Sequence, residues 1–188
     1  MSDGGCRFEV NDLECKKTIE ETIISWLHET AGEIVSQAVR NTPVGKVDGG
    51  NLKRSWRYEV EEDEFSATIG SPLENAIWNE FGTGEFALEG KGRKGGWWVR
   101  VGNGENEMRP EVAEAYEWPK VRRKMGKIVK VFTYGKRPQR TLFNAFEKVH
   151  KGAAKELAKK LDNARTEWKP NKIVGEKDLG HIDIKIGK

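Results

Sequence analysis

The sequence has no run of about 18 apolar residues, so no membrane-spanning helix is expected. Met1 to Gly5 lack a basic flank and an apolar core, so no signal peptide is expected either, and the chain should stay in the cytoplasm where it is made. There are only two cysteines, Cys6 and Cys15, which read as free thiols in a reducing compartment. The three histidines, His28, His150 and His181, are scattered, which leaves too few clustered ligands for a metal. There is no Walker loop, no HExxH and no nucleophile motif. Gly90 to Gly96 lacks the spacing of a phosphate cradle. His28 and Glu80 are the only tempting acid–base pair, and both read as surface residues. No catalytic residue, cofactor or metal is therefore assigned, and the chain is read as a non-enzyme.

What is present is charge and periodicity. Charged residues make up 34% of the 188 positions and hydrophobic ones 36%, which suits one compact body with a polar surface. Arg7 to Val10 reads as a short strand. From Cys15 to Arg40, Ile19, Ile23, Trp26, Leu27, Ala31, Ile34, Val35, Ala38 and Val39 recur at steps of three and four, the stripe of an amphipathic helix that Pro43 ends. Leu52 to Glu61 alternates like a strand, and Phe65, Ala67 and Ile69 make its returning partner. A short helix follows over Leu73 to Phe81, with Leu73, Ala76, Ile77 and Phe81 expected on its buried side and Gly82 and Gly84 ending it. Trp97 to Val101 and Lys127 to Tyr134 read as strands of a projecting hairpin with an insertion between them. The insertion is hard to assign beyond a helical turn near Glu111 to Tyr116. From Pro138 a second long helix carries Leu142, Phe146, Val149, Ala153, Leu157, Leu161, Ala164 and Trp168. Beyond Pro170, Ile182, Ile184 and Ile186 alternate and suit an edge strand or a mobile tail. The expected fold is α+β: an antiparallel sheet packed on a long N-terminal and a long C-terminal helix, with an extended hairpin insertion. Residues 1–170 form one domain with an arm over 86–140, and residues 171–188 form a tail.

Charge is uneven. Leu88 to Arg140 holds fourteen basic residues against six acidic ones, with Trp97, Trp98, Tyr116, Trp118, Phe132 and Tyr134 interleaved. Such a segment suits a nucleic-acid surface, a contact between subunits, or a solvated loop. Lys91, Arg93, Lys94, Arg122, Arg123 and Lys124 are the candidates for facing DNA or an acidic partner.

A third pattern runs through most of the chain. Asn41-Thr42-Pro43-Val44 leads through Asp48-Gly49-Gly50 to Asn51-Leu52-Lys53-Arg54-Ser55-Trp56. Asn75-Ala76-Ile77-Trp78-Asn79-Glu80-Phe81-Gly82-Thr83-Gly84 follows, and after the basic insertion comes Arg137-Pro138-Gln139-Arg140-Thr141-Leu142-Phe143-Asn144-Ala145-Phe146. In this order the segments resemble the gene-product-ten tail-component family of HK-type lambdoid phages, also described as neck or tail-completion proteins. The resemblance spans about Phe8 to Trp168. It departs where Asp48-Gly49-Gly50 replaces Asp-Thr-Gly, where Asn75 replaces an aromatic, where Arg140-Thr141-Leu142 replaces Pro-Phe-Leu, and in the long insertion after Gly102. The residues it marks are Pro43, Gly49, Leu52, Trp56, Ala76, Trp78, Glu80, Phe81, Gly82, Thr83, Gly84, Pro138, Leu142 and Ala145. It implies a structural phage or prophage protein that closes into a ring of copies, expected to be sixfold, at the head–tail junction of the virion. The ring would join head-closure to tail-tube or tail-terminator proteins and let DNA pass with only transient, sequence-independent contact. A free nucleic-acid-binding protein using residues 91–140 is the alternative.

Overall fold

The structure, a computed structural model, describes residues 12–47 and 49–167. The strand expected over Arg7 to Val10, and the tail with Ile182, Ile184 and Ile186, lie outside the described residues.

The fold is α+β, as expected. Helix α1 spans Asp12–Asn41. Its apolar stripe delivers buried Ala31, Ile34 and Ala38, although Ile19 near its start is exposed. The last turn is finished by Thr42, whose hydroxyl donates to the Ala38 carbonyl at 2.6 Å and accepts from Trp56 Nε1 at 2.7 Å. That pairing satisfies a helix-end carbonyl and lets the Trp56 indole be buried without an orphaned N–H.

Leu52 to Trp56 corrects the sequence reading. Instead of extending the strand, Asn51–Ser55 forms the short helix α2, and Trp56 leaves it in an extended conformation. Gly50 precedes the helix with φ 101°, a conformation that glycine adopts without penalty. One turn of helix carries Leu52 and Trp56, four residues apart, to the same side, where both are buried. An alternating pattern of apolar residues had concealed an i, i+4 pair.

Strand β1 (Arg57–Glu61) and strand β2 (Ser66–Gly70) then pair antiparallel, with Tyr58 opposite Ile69 and Val60 opposite Ala67. Helix α3 (Glu74–Phe81) buries Ala76, as expected, together with Asn79, which was not expected. Ile77 and Phe81 are 59% and 52% exposed. The main core gathers Ile34 and Ala38 from α1, Leu52, Trp56, Ala76, and Ala145 and Val149 from helix α5 (Thr141–Glu167). α5 lies antiparallel along α1: Lys148 bonds Gln37, while Lys160 bonds Glu29 further toward the start of α1.

Between α3 and α5 the arm folds into its own lobe. Strand β3 (Trp97–Arg100), helix α4 (Pro110–Ala115), strand β4 (Lys120–Lys124) and strand β5 (Lys127–Thr133) form a three-stranded antiparallel sheet in the order β3-β5-β4. The hairpin of β3 and β5 and the turn near Glu111 match expectation. β4 was not legible in the sequence. It joins β5 through Met125 and Gly126, both with positive φ, as a two-residue type I′ turn requires. A second, smaller core holds Ala113, Ile128 and Val131, with Val99, Val101, Met108 and Trp118 packed on it. A register shift between Arg122 and Arg123 skips Val129, so that both Ile128 and Val131 reach that core. The lobe also touches the body where the Lys46 backbone N–H donates to the Tyr116 hydroxyl at 2.8 Å.

Candidate functional site: a clamp at the root of the arm and a cationic sheet face

Two arrangements stand out, one structural and one charged. The first lies where the arm leaves and rejoins the body. Glu80, at the end of α3, is no idle surface carboxylate. Its two oxygens accept the backbone N–H groups of Leu142 and Phe143, each at 2.9 Å. These are two of the donors that the first turn of α5 cannot satisfy internally, and a carboxylate there also meets the positive end of the helix dipole. Beside it, buried Asn79 donates from Nδ2 to the Thr141 hydroxyl at 2.6 Å, and the Asn79 carbonyl accepts from the Gln139 N–H at 2.7 Å. Lys136 Nζ reaches Asn79 Oδ1 at 3.0 Å, and desolvation holds the Lys136 ammonium below the usual lysine value. One turn of α3 thus clamps the whole entry into α5.

Gly82 makes the close approach possible. It has φ 73°, and a Cβ there would lie 2.9 Å from the Lys136 carbonyl oxygen, the Phe86 carbonyl oxygen and Pro138 Cδ. Thr83 then bonds Lys136 in both directions, at 2.8 Å and 2.9 Å, and the Glu85 N–H donates to the Tyr134 carbonyl. The outgoing and returning strands of the arm are therefore stitched together at its root.

The second arrangement is on the lobe. Antiparallel pairing sets Trp98, Phe132 and Lys120 in one row, and Arg100, Lys130 and Arg122 in the next, on a single face. Lys124 and Lys127 extend this face toward the turn. The three strands contain no acidic residue. Arg122 lies 4.6 Å from the Trp98 ring and Lys120 lies 5.4 Å from the Phe132 ring, while the two rings meet edge to face at 5.4 Å. Such cation–π contacts contribute about 0.5–1 kcal/mol each at exposed sites. They hold the cations over the rings without neutralising them, so the face keeps its charge for a ligand.

Of the six cations singled out from the sequence, the structure brings Arg122 and Lys124 onto this face. Arg123 projects to the other side, where it meets Glu114 at 3.4 Å and the Gly126 carbonyl at 3.0 Å. Lys91 pairs with Glu89 at 3.2 Å, Arg93 lies 5.5 Å from the Trp97 ring, and Lys94 is exposed, all on the loop before β3. Sequence reasoning had not grouped Arg100, Lys120, Lys127 and Lys130. The alternation of Lys120, Arg122 and Lys124 was the available signal, and it needed β4 to be recognised first.

The other marked residues divide between core and surface. Leu52, Trp56, Ala76 and Ala145 are core, and Leu142 packs against it. Trp78 and Phe81 are exposed. Gly49 sits where a Cβ would strike Val44 and the Gly45 backbone. His28 is exposed beside the Tyr58 ring. Among the described residues no cluster of His, Cys, Asp or Glu could hold a metal, and no helix is long and apolar enough to cross a membrane.

Residues 11–82 match the family described as "Bacteriophage HK97-gp10, putative tail-component". This is the family that the motifs resemble, and the match covers 72 of the 188 residues. The match takes in α1, α2, the β1–β2 hairpin and α3, and it ends at Gly82, where the arm departs. Glu80 therefore grips α5 from inside the matched segment, whereas the lobe lies beyond it. No curated protein and no solved structure matches the chain.

Proposed function

We propose that this chain is a neck or tail-completion subunit that closes into a ring, six copies around, at the head–tail junction of a phage or prophage virion. The ring joins the head-closure complex to the tail-tube or tail-terminator proteins, and DNA passes through it. The observation that carries the proposal is the juncture at Gly82: the match to a tail-component family ends there, and a stitched stem carrying a carboxylate-free cationic sheet begins. A body gripping both ends of such an arm suits the wall of a ring, with the arm as the part that reaches a neighbour or the channel.

On this reading the β3–β5–β4 face meets phosphate. Contact there is electrostatic and sequence-independent, as a sliding genome requires. The subunit works by shape and docking, and no group in the described residues is assigned to catalysis.

Charge reversal by Arg122→Glu with Lys130→Glu should lower infectious yield through failed joining or DNA loss, while Arg123→Glu, on the other side of the sheet, should do so much less. Unchanged yield in the double variant would refute the role of the face. Localisation of the subunit in virions tests the junction itself, and its absence there would refute the neck role. The same face also favours a second reading, a freely acting nucleic-acid-binding protein. That reading expects a non-ring species with duplex affinity falling steeply with salt.

A further inference from the structure

A groove of about 550 Å³ in the body is unrelated to the cationic face. It runs between α1, β2, the end of α3 and the start of α5, and its lining is mostly apolar. Phe65, Phe81, Leu88, Phe143 and Phe146 border it and are all exposed. An apolar patch of this kind marks a docking surface more often than idle exposure. β2 contributes to the wall and β1 does not, so the edge of β2 left unpaired by β1 is the one turned toward the groove. An apolar floor beside a free strand edge is the geometry of strand addition, in which main-chain bonds give affinity and alternate side chains fill the floor.

Two segments outside the described residues alternate, and 181–187 offers three apolar residues where Arg7 to Val10 offers two. Ile182, Ile184 and Ile186 alternate with His181, Asp183 and Lys185, so an extended 181–187 would present three isoleucines to one side and polar groups to the other. Reach allows either the same copy or a neighbour as the acceptor, and the proposed ring selects the neighbour. From Phe146 at the groove to Glu167 at the end of α5 is 21 residues of helix, about 32 Å. The 14 residues from 168 to 181 extend at most about 46–50 Å, more than that length of helix. The segment starts at the end of α5 opposite the groove. One copy therefore offers the strand at one end and the groove at the other, the condition for a head-to-tail contact that can close into a ring.

We infer that residues 181–187 of one copy add as a third strand to β2 of the next, seating Ile182, Ile184 and Ile186 in its apolar groove. This rests on the proposed ring, and it names the contact that links successive subunits.

The test is disulfide trapping in full-length protein with Cys6→Ser and Cys15→Ser. Leu88→Cys and Ile184→Cys are made as separate proteins, purified, mixed at concentrations where the protein self-associates, and mildly oxidised. The expected result is a disulfide-linked heterodimer, with several-fold less from Lys185→Cys, which the alternation turns away from the floor. Deleting residues 168–188 from the Leu88→Cys acceptor should raise the yield, because no other copy of the tail competes from within that protein. No heterodimer, equal yields from positions 184 and 185, or preferential trapping of Phe8→Cys would overturn the inference. So would a link that forms only within one chain of a Leu88→Cys/Ile184→Cys double variant. Sedimentation mass of the unmodified protein reports on the ring separately. A ring without the cross-link removes this contact alone, and a cross-link in open chains without closure removes the ring alone.

Discussion

The body and the lobe solve the same problem at different scales. The body spreads its core over two long helices, a short helix and the turn that carries Leu52 and Trp56, and it secures the join with buried polar pairs at Asn79 and Thr141. The lobe has three short strands around Ala113, Ile128 and Val131, and it turns its other sheet face, loaded with cations, to the outside. A sheet that buries only one face has little apolar area from which to draw stability. The lobe therefore depends on its stem, on the Lys46–Tyr116 contact and on cation–π pairs that also keep its cations raised. The difference suggests a division of labour: the body supplies rigidity, and the lobe supplies surface.

The contrast would break first at Trp56. Trp56→Ala should cost about 3–5 kcal/mol in denaturant-induced unfolding, from the buried area and cavity together. Val131→Ala in the lobe should cost less globally, about 1–3 kcal/mol, and should appear mainly as lost amide-exchange protection confined to β3, β4 and β5. Equal loss of protection across both regions would show a single cooperative unit instead. At the root of the arm, Glu80→Ala should cost about 1–2 kcal/mol by leaving the Leu142 and Phe143 N–H groups without the carboxylate, measured by thermal or urea unfolding. Gly82→Ala should cost about 1 kcal/mol or more, because the positive φ and the three 2.9 Å approaches both oppose a Cβ. The smallest effect concerns pH. The hydrogen bond from Lys160 holds the Glu29 carboxyl below the usual carboxylate range, with their charge attraction adding to it. The folded pKa is lowered, so the contribution is present above the ordinary glutamate value and is lost as pH falls through the folded value. Glu29 is exposed, so Glu29→Gln should flatten the acid limb of the stability curve only slightly.

Much of this architecture was legible. The stripes on α1 and α5, the β1–β2 hairpin and the β3–β5 pairing followed from apolar spacing alone, which reports directly on what each element can bury. The errors fell where spacing and burial separate. Leu52 and Trp56 fit a strand parity and a helical step equally well, and the turn forced by Gly50 decided for the helix. Ile77 and Phe81 were assigned inward because they are apolar, yet α3 turns Ala76 and Asn79 inward, and Phe81 borders the groove. Glu80 read as a surface group because its partners are Leu142 and Phe143, more than sixty residues away along the chain. β4 was missed because all five of its residues are exposed, which leaves no apolar alternation to find.

By itself the sequence determined the two long helices and α3, the β1–β2 hairpin, the β3–β5 pairing, the basic character of the arm and motifs that resemble a phage tail-component family, because local periodicity, turn chemistry and residue order are properties of neighbours in the chain. Only the tertiary structure decided that Arg122 and Lys124 share a face with Arg100, Lys120, Lys127 and Lys130 while Arg123 does not, and that Glu80 caps α5. Those facts depend on strand register and on which helix end meets which, and register is fixed by packing between segments that are remote in sequence.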